Sequence, residues 1–178
     1  MKTENSACGV GFVANLKNAY SHDILKQGLK ALKNLEHRGG SNSDLVTSDG
    51  AGILADIPWE LLGIPEGTAV ANIFVNKDTT IKLRSLKIFE DTFSHHGLKV
   101  LSFREVPVDN SVLSAHCRAT RPDILMAFIE RPAQCSTRYS FEKLLYSAKQ
   151  ATRSRLREAG FAQQLFFTSL SAGTIIYK

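Results

Sequence analysis

Two apolar rhythms alternate along the chain, and each switch between them marks an element. In "SHDILKQGLKALKNLEHRGG", residues 21–40, Ile24, Leu25, Gly28, Leu29, Leu32 and Leu35 recur at three- and four-residue steps. That period gathers them on one face of an amphipathic helix. Ser21 is placed to cap its start. Gly39 and Gly40 are placed to stop it, because glycine readily takes the left-handed backbone of a helix C-terminus. The rhythm returns at Leu83, Leu86, Phe89 and Phe93, predicting a second helix capped by Asp78 or Thr79 and ended by Gly97. A third and longer helix is expected from Tyr139, with Phe141, Leu144, Leu145, Ala148 and Leu156 inward and Gly160 as its stop.

Elsewhere the period falls to two, or apolar residues run together, and these stretches read as strands. "CGVGFVANL" (8–16) alternates Val10 and Phe12 on one face. "GAGILADIP" (50–58) ends where Pro58 removes a backbone donor. "EGTAVANIFVN" (66–76) is apolar on both faces. "LKVLSFREVPV" (98–108) and "DILMAFIE" (123–130) add two more. "QQLFFTSLSAGTIIYK" (163–178) holds two β-rich runs about a Ser-Ala-Gly turn, expected to form a hairpin. Strands and helices alternate irregularly and the last element is a hairpin, which favours an α+β arrangement over a purely parallel sheet.

Composition narrows the class. The 178 residues are 43% apolar and 22% charged, enough for one domain with a core. No stretch reaches the ~20 continuous apolar residues of a membrane helix. "MKTENSACGVGF" has no apolar signal region, which points to the cytoplasm. The three cysteines, Cys8, Cys117 and Cys135, are far apart and form no Cys-x-x-Cys pair, so a metal or iron–sulfur site built from this chain alone is not expected. Cys117 and Cys135 read as buried structural thiols. The net charge of +5 raises the question of nucleic acid. Its densest basic run, "ATRSRLREAG", carries no interleaved aromatics for base stacking and reads as a solvated helix face. Neither nucleic acid nor a membrane is therefore an expected partner.

Cys8 is the first candidate for chemistry. A thiol of ordinary pKa is mostly protonated at neutral pH and needs a base to attack. Were residues 1–7 removed, the freed α-amine of Cys8, with a pKa of about 7.7–8.0, would lie on the same residue and serve as that base. Gly9 and Gly11 would let a substrate or a neighbouring strand approach closely. Arg38, followed by Gly39 and Gly40, is suited to hold a carboxylate through two parallel hydrogen bonds. His37 is either a base or a partner for the last carbonyls of the preceding helix. Asp49-Gly50-Ala51-Gly52 is not followed by Lys-Ser or Lys-Thr and so is no phosphate loop.

Taken in order, "CGVGFVANL", "EHRGG", "TSDGAGILADIP", "REVPVDNSVL", "FEKLLYSAKQ" and "LFFTSLSAGTIIYK" resemble the amino-terminal class II glutamine amidotransferase domain of the glutamate synthase large chain. The resemblance runs from Cys8 to Lys178. It implies the N-terminal-nucleophile fold, an αββα sandwich of antiparallel sheets between helical layers, with residues 1–7 as a leader and 8–178 as the front part of the domain. It implies glutamine as substrate, Cys8 as nucleophile, and Arg38 and Gly39 in the glutamine site. In the full enzymes of the family the released ammonia adds to 2-oxoglutarate in the remainder of the large chain. FMN, an iron–sulfur cluster and NADPH or ferredoxin, with an electron-donor subunit, then serve the reduction; none is expected to bind this chain.

One departure stands out. The family's oxyanion hole is an Asn-Gly pair, and the chain contains no Asn-Gly; the family's amine-holding acidic segment is missing too. Each oxyanion donor is worth about 3–4 kcal/mol of barrier, so the 178-residue chain is expected to be catalytically weak by itself. The alternative to an enzyme part is a non-catalytic remnant that binds a partner or regulates through an exposed β-edge.

Overall fold

The computed structural model describes residues 9–17, 19, 21–35 and 50–177. Within the described residues eleven elements follow one another: α1 (His22–Asn34), β1 (Ile53–Asp56), α2 (Trp59–Leu62), β2 (Ala69–Val75), α3 (Thr79–His95), β3 (Val100–Glu105), α4 (Ala115–Thr120), β4 (Asp123–Ile129), α5 (Arg138–Glu158), β5 (Leu165–Ser171) and β6 (Thr174–Tyr177). They fall into two compact units. The larger comprises Leu54–Val108 and Arg121–Ile176; the smaller holds the chain up to Ile53 together with Asp109–Thr120 and the end of the chain from Tyr177.

In the larger unit, β3, β4, β2 and β5 form an antiparallel four-stranded sheet in that order. β2 is central because its residues are apolar on both faces, and six of its seven are buried. Ala69, Ala71, Ile73 and Val75 share a core with Phe89 and Phe93 of α3 and Phe141, Leu145, Ala148 and Leu156 of α5. Both helices therefore cover one face of the sheet. Phe89 and Phe93 are fully buried and stack with ring centroids 4.2 Å apart, each burial worth about 1.5–3 kcal/mol.

The helix boundaries follow from capping chemistry. Asp78 caps α3, its carboxylate accepting the Ile81 N–H at 2.9 Å. At the other end Gly97 takes φ +71, and the Leu98 N–H reaches back to the Phe93 carbonyl at 2.9 Å. Thr137 and Ser140 form a reciprocal capping box for α5, and Gly160, at φ +78, ends it.

The opposite face of the sheet meets a second, two-stranded sheet of β1 and β6. Asn72 and Ser169 are cross-strand partners on β2 and β5. Asn72 Nδ2 donates to the Ile176 carbonyl at 2.8 Å, and Ser169 Oγ accepts the Ile176 N–H at 3.2 Å. Both backbone groups of one β6 residue are thus held by side chains of the other sheet. The α+β expectation is met, with antiparallel sheets and helices packed on the larger one.

One expectation at this end is corrected. The runs around Ser171-Ala172-Gly173 do not pair as a hairpin: β5 belongs to the four-stranded sheet and β6 to the two-stranded one. The turn carries the chain across from one layer to the other. β-rich runs about a small-residue turn carry no information on which neighbour each will choose, and here β2 and β1 took them.

The smaller unit holds α1 and α4. Ser21 caps α1 as expected, its Oγ accepting the Asp23 N–H at 3.2 Å. The helix ends at Asn34 with Leu35 as its cap, ahead of the expected Gly39 and Gly40 stop, which lies outside the described residues. The expected strand over 8–16 is not found. Its described residues, 9–16, have no regular structure, and Val10 and Phe12 stand 90% and 95% exposed. Alternation marks a face, but a strand also needs a neighbour's ladder, and these residues have none among those described. α4 went unpredicted because six residues supply less than two turns of periodicity. Its Cys117 is half-buried rather than buried, a second correction, while Cys135 is buried as expected.

Candidate active site

Cys8, Arg38 and Gly39, the residues nominated by sequence, and His37 beside them, lie outside the described residues. The frame that leads to them is described. Gly9, which follows Cys8, is half-buried. α1 delivers the chain toward Arg38: Asp23 sits in its first turn and Lys33 in its last, each at the end where the helix dipole favours its charge. The Leu35 N–H closes the helix on the Leu32 carbonyl at 3.1 Å, three residues before Arg38.

The return of the chain after residue 49 is fixed against the same helix. Ile53 opens β1, and its Cδ1 would stand 3.1 Å from a Cβ placed on Gly28. A glycine at this helical position therefore lets α1 lie close against the start of β1. The stretch 36–49, which contains Arg38 and Gly39, lies in sequence between Gly28 of α1 and Ile53, the two residues of this close approach.

The "VPVDNSVL" segment resolves into a capped turn. The Asp109 carboxylate accepts the Ser111 N–H at 2.9 Å, and the Ser111 hydroxyl and N–H hold it below the usual carboxylate range. Ser114 Oγ then accepts the Cys117 N–H at 3.2 Å as α4 begins. These bonds order the loop; nothing in them marks Asp109 as a proton donor.

Among the described residues no group of three or more His, Cys, Asp or Glu is placed to hold a metal ion. The two described cysteines fall short of the thiolate set an iron–sulfur cluster needs. No helix among the described residues is long and apolar enough to cross a membrane.

Two structural devices escaped sequence reasoning. One is Glu142 of α5, whose Oε1 accepts both the Ser171 hydroxyl and the Ala172 N–H. The other is the buried Asn72 bridge to β6. Each depends on a pairing across 29 or 104 positions, which no local pattern announces.

With this frame in place, comparison with known proteins defines the class. The family model for class-II glutamine amidotransferases matches residues 8–178, and the chain belongs to that family. Within it, the chain is similar to the amino-acid-synthesising glutamate synthases. It is 35% identical over 187 residues to ferredoxin-dependent glutamate synthase 1 of Arabidopsis thaliana, covering 99% of this chain and 12% of that protein. It is 37% identical over 186 residues to the ferredoxin-dependent glutamate synthase of Spinacia oleracea, covering 98% and 11%. The large chain of the NADPH glutamate synthase of Bacillus subtilis matches at 34% over 186 residues, covering 98% and 12%. The chain thus spans about one-eighth of the length of these relatives. They include chloroplast and bacterial proteins, so kinship fixes no compartment.

Proposed function

We propose that this chain supplies the glutamine-cleaving part of a glutamate synthase, with Cys8 as nucleophile once residues 1–7 are removed. The observation that carries the reading is where the family match begins: at Cys8 itself. The α-amine of Cys8 takes the thiol proton, and the thiolate attacks the side-chain amide carbon of glutamine. The C–N bond breaks, the nitrogen leaves as ammonia with the proton returned to it, and a γ-glutamyl thioester remains. Water then cleaves the thioester, giving glutamate and regenerating the thiol.

Arg38 holds the carboxylate of bound glutamine, and Gly39 leaves room for it. The ammonia passes to the remainder of a large chain for addition to 2-oxoglutarate, where the reducing cofactors also bind. Kinship to ferredoxin- and NADPH-named glutamate synthases supports that division.

The test is covalent. A chain purified with Cys8 as its first residue is treated with an electrophilic glutamine analogue and mapped by mass spectrometry. Label on Cys8, prevented by excess glutamine and by Cys8→Ala, is expected. Label spread equally over Cys8, Cys117 and Cys135 would reject the assignment.

A further inference from the structure

α5 carries three cations in register. Lys149, Arg153 and Arg157 recur at four-residue steps, so they project from one face over about 12 Å of helix. They line a groove of about 250 Å³ against the start of β5, with Leu156, Phe166 and Phe167 as its apolar wall. Among the described residues no carboxylate lines it. None of the three cations takes part in an ion pair among the described residues, whereas Lys26, Lys82, Lys87, Lys99, Arg121 and Arg138 all do.

The larger cavity, of about 380 Å³ near the ends of β3 and β4, shows what a balanced site looks like. Its Arg121 is matched by Asp123, and Glu105 adds a second carboxylate to its lining. The α5 groove has the opposite character. Burial, followed by the charge of Arg153, pushes the Lys149 amine below its ordinary value. Its Nζ lies 5.8 Å from the Phe167 ring centre, a contact that stabilises a cation without neutralising it. Three like charges gathered on one groove with no counter-charge oppose folding, and an anion seated there would relieve that opposition.

We propose that this groove binds a small oligophosphate, the phosphate chain lying along Lys149, Arg153 and Arg157. A single phosphate meets one guanidinium fork, while linked phosphates engage the row together. Among the described residues β5 is paired on one side only, by β2, so no described strand covers the groove. The apolar wall excludes water from one flank and strengthens each charge contact.

The test is calorimetric titration of the 178-residue chain at low ionic strength with orthophosphate, pyrophosphate, tripolyphosphate and adenosine triphosphate. Saturable binding that tightens in the order orthophosphate, pyrophosphate, tripolyphosphate is expected. Equal affinity for tripolyphosphate and adenosine triphosphate assigns the site to the bare phosphate chain; tighter nucleotide binding assigns it to a nucleotide. Arg153→Gln with Arg157→Gln, both at exposed positions, should weaken tripolyphosphate about tenfold or more, equivalent to about 1.4 kcal/mol. Lys33→Gln, on α1, serves as the control for general attraction to a basic protein. No saturable binding, or an equal loss in the Lys33→Gln control, overturns the proposal.

Discussion

Glu142 and Ala172 are joined across the corner where the chain leaves one sheet for the other: Glu142 Oε1 accepts the Ala172 N–H at 2.8 Å and the Ser171 hydroxyl at 2.7 Å. Ser171 Oγ in turn accepts the N–H groups of Gly173 and Thr174, at 3.1 and 3.3 Å. One carboxylate from the second turn of α5 thus organises a turn that has no ladder of its own. Arg138, four residues earlier on the helix, lies 3.7 Å from the same oxygen.

Removing that acceptor should loosen the corner. Glu142→Ala leaves the buried Ala172 N–H without a partner, a loss of about 1–3 kcal/mol. Glu142→Gln keeps an acceptor oxygen and should cost less. Urea denaturation midpoints of the two variants measure the difference, and equal midpoints would show the carboxylate to be incidental.

Asn72 is 2% exposed, and while its Nδ2 reaches β6, its Oδ1 has no partner among the described residues. Asn72→Asp would place a carboxylate against the Ile176 carbonyl, two acceptors facing each other in a dry setting. Burial raises the folded pKa of such a group above its unfolded value, so the variant is penalised when ionised and recovers as pH falls through the folded value. Thermal unfolding of Asn72→Asp relative to the parent should therefore improve on acidification. A gap that stays constant with pH would count against this reading.

Lys149 gives a pH effect of the other kind. Its amine titrates below its ordinary value of 10.5 when folded, so the folded state resists the proton that the unfolded chain accepts. Between the two values the unfolded state binds more protons, and stability rises with pH. Lys149→Met keeps an apolar stem over Phe167 and removes the charge. The variant should equal or exceed the parent in stability near neutrality. That advantage should shrink as pH approaches the ordinary lysine value. Paired melting curves at the two pH values decide it.

The fourth expectation concerns turnover. The sequence holds no Asn-Gly pair to receive the tetrahedral oxyanion, and a lost donor costs about 10²–10³ in rate. Even when trimmed to begin at Cys8, residues 8–178 should hydrolyse glutamine far more slowly than about 1 s⁻¹. A coupled glutamate assay measures it, and turnover near that figure would show that other groups do the work.

Much of this architecture was legible in advance. α3 and α5 came from clean helical spacing with strong punctuation: Asp78 and Gly97 on one, Gly160 on the other. β2 declared itself as a central strand by being apolar on both faces. What stayed hidden was partnership. Val10 and Phe12 alternate correctly yet have no strand beside them among the described residues, and the Ser171–Gly173 turn joins two sheets rather than two paired strands. Local spacing encodes which way a side chain faces. It is silent on which distant backbone will answer. The proposed site residues stand outside any such pattern: Cys8 and Arg38 sit in short motifs with no periodicity, and the roles proposed for them rest on resemblance across a combination of segments.

The order of synthesis gives the sheet a late closing date. β2 emerges early, but its two neighbours are β4, some fifty positions on, and β5, which begins about ninety positions later. Until Ser171 has left the ribosome, a strand with no polar face waits half-covered, so this sheet is most vulnerable to self-association just before β5 appears.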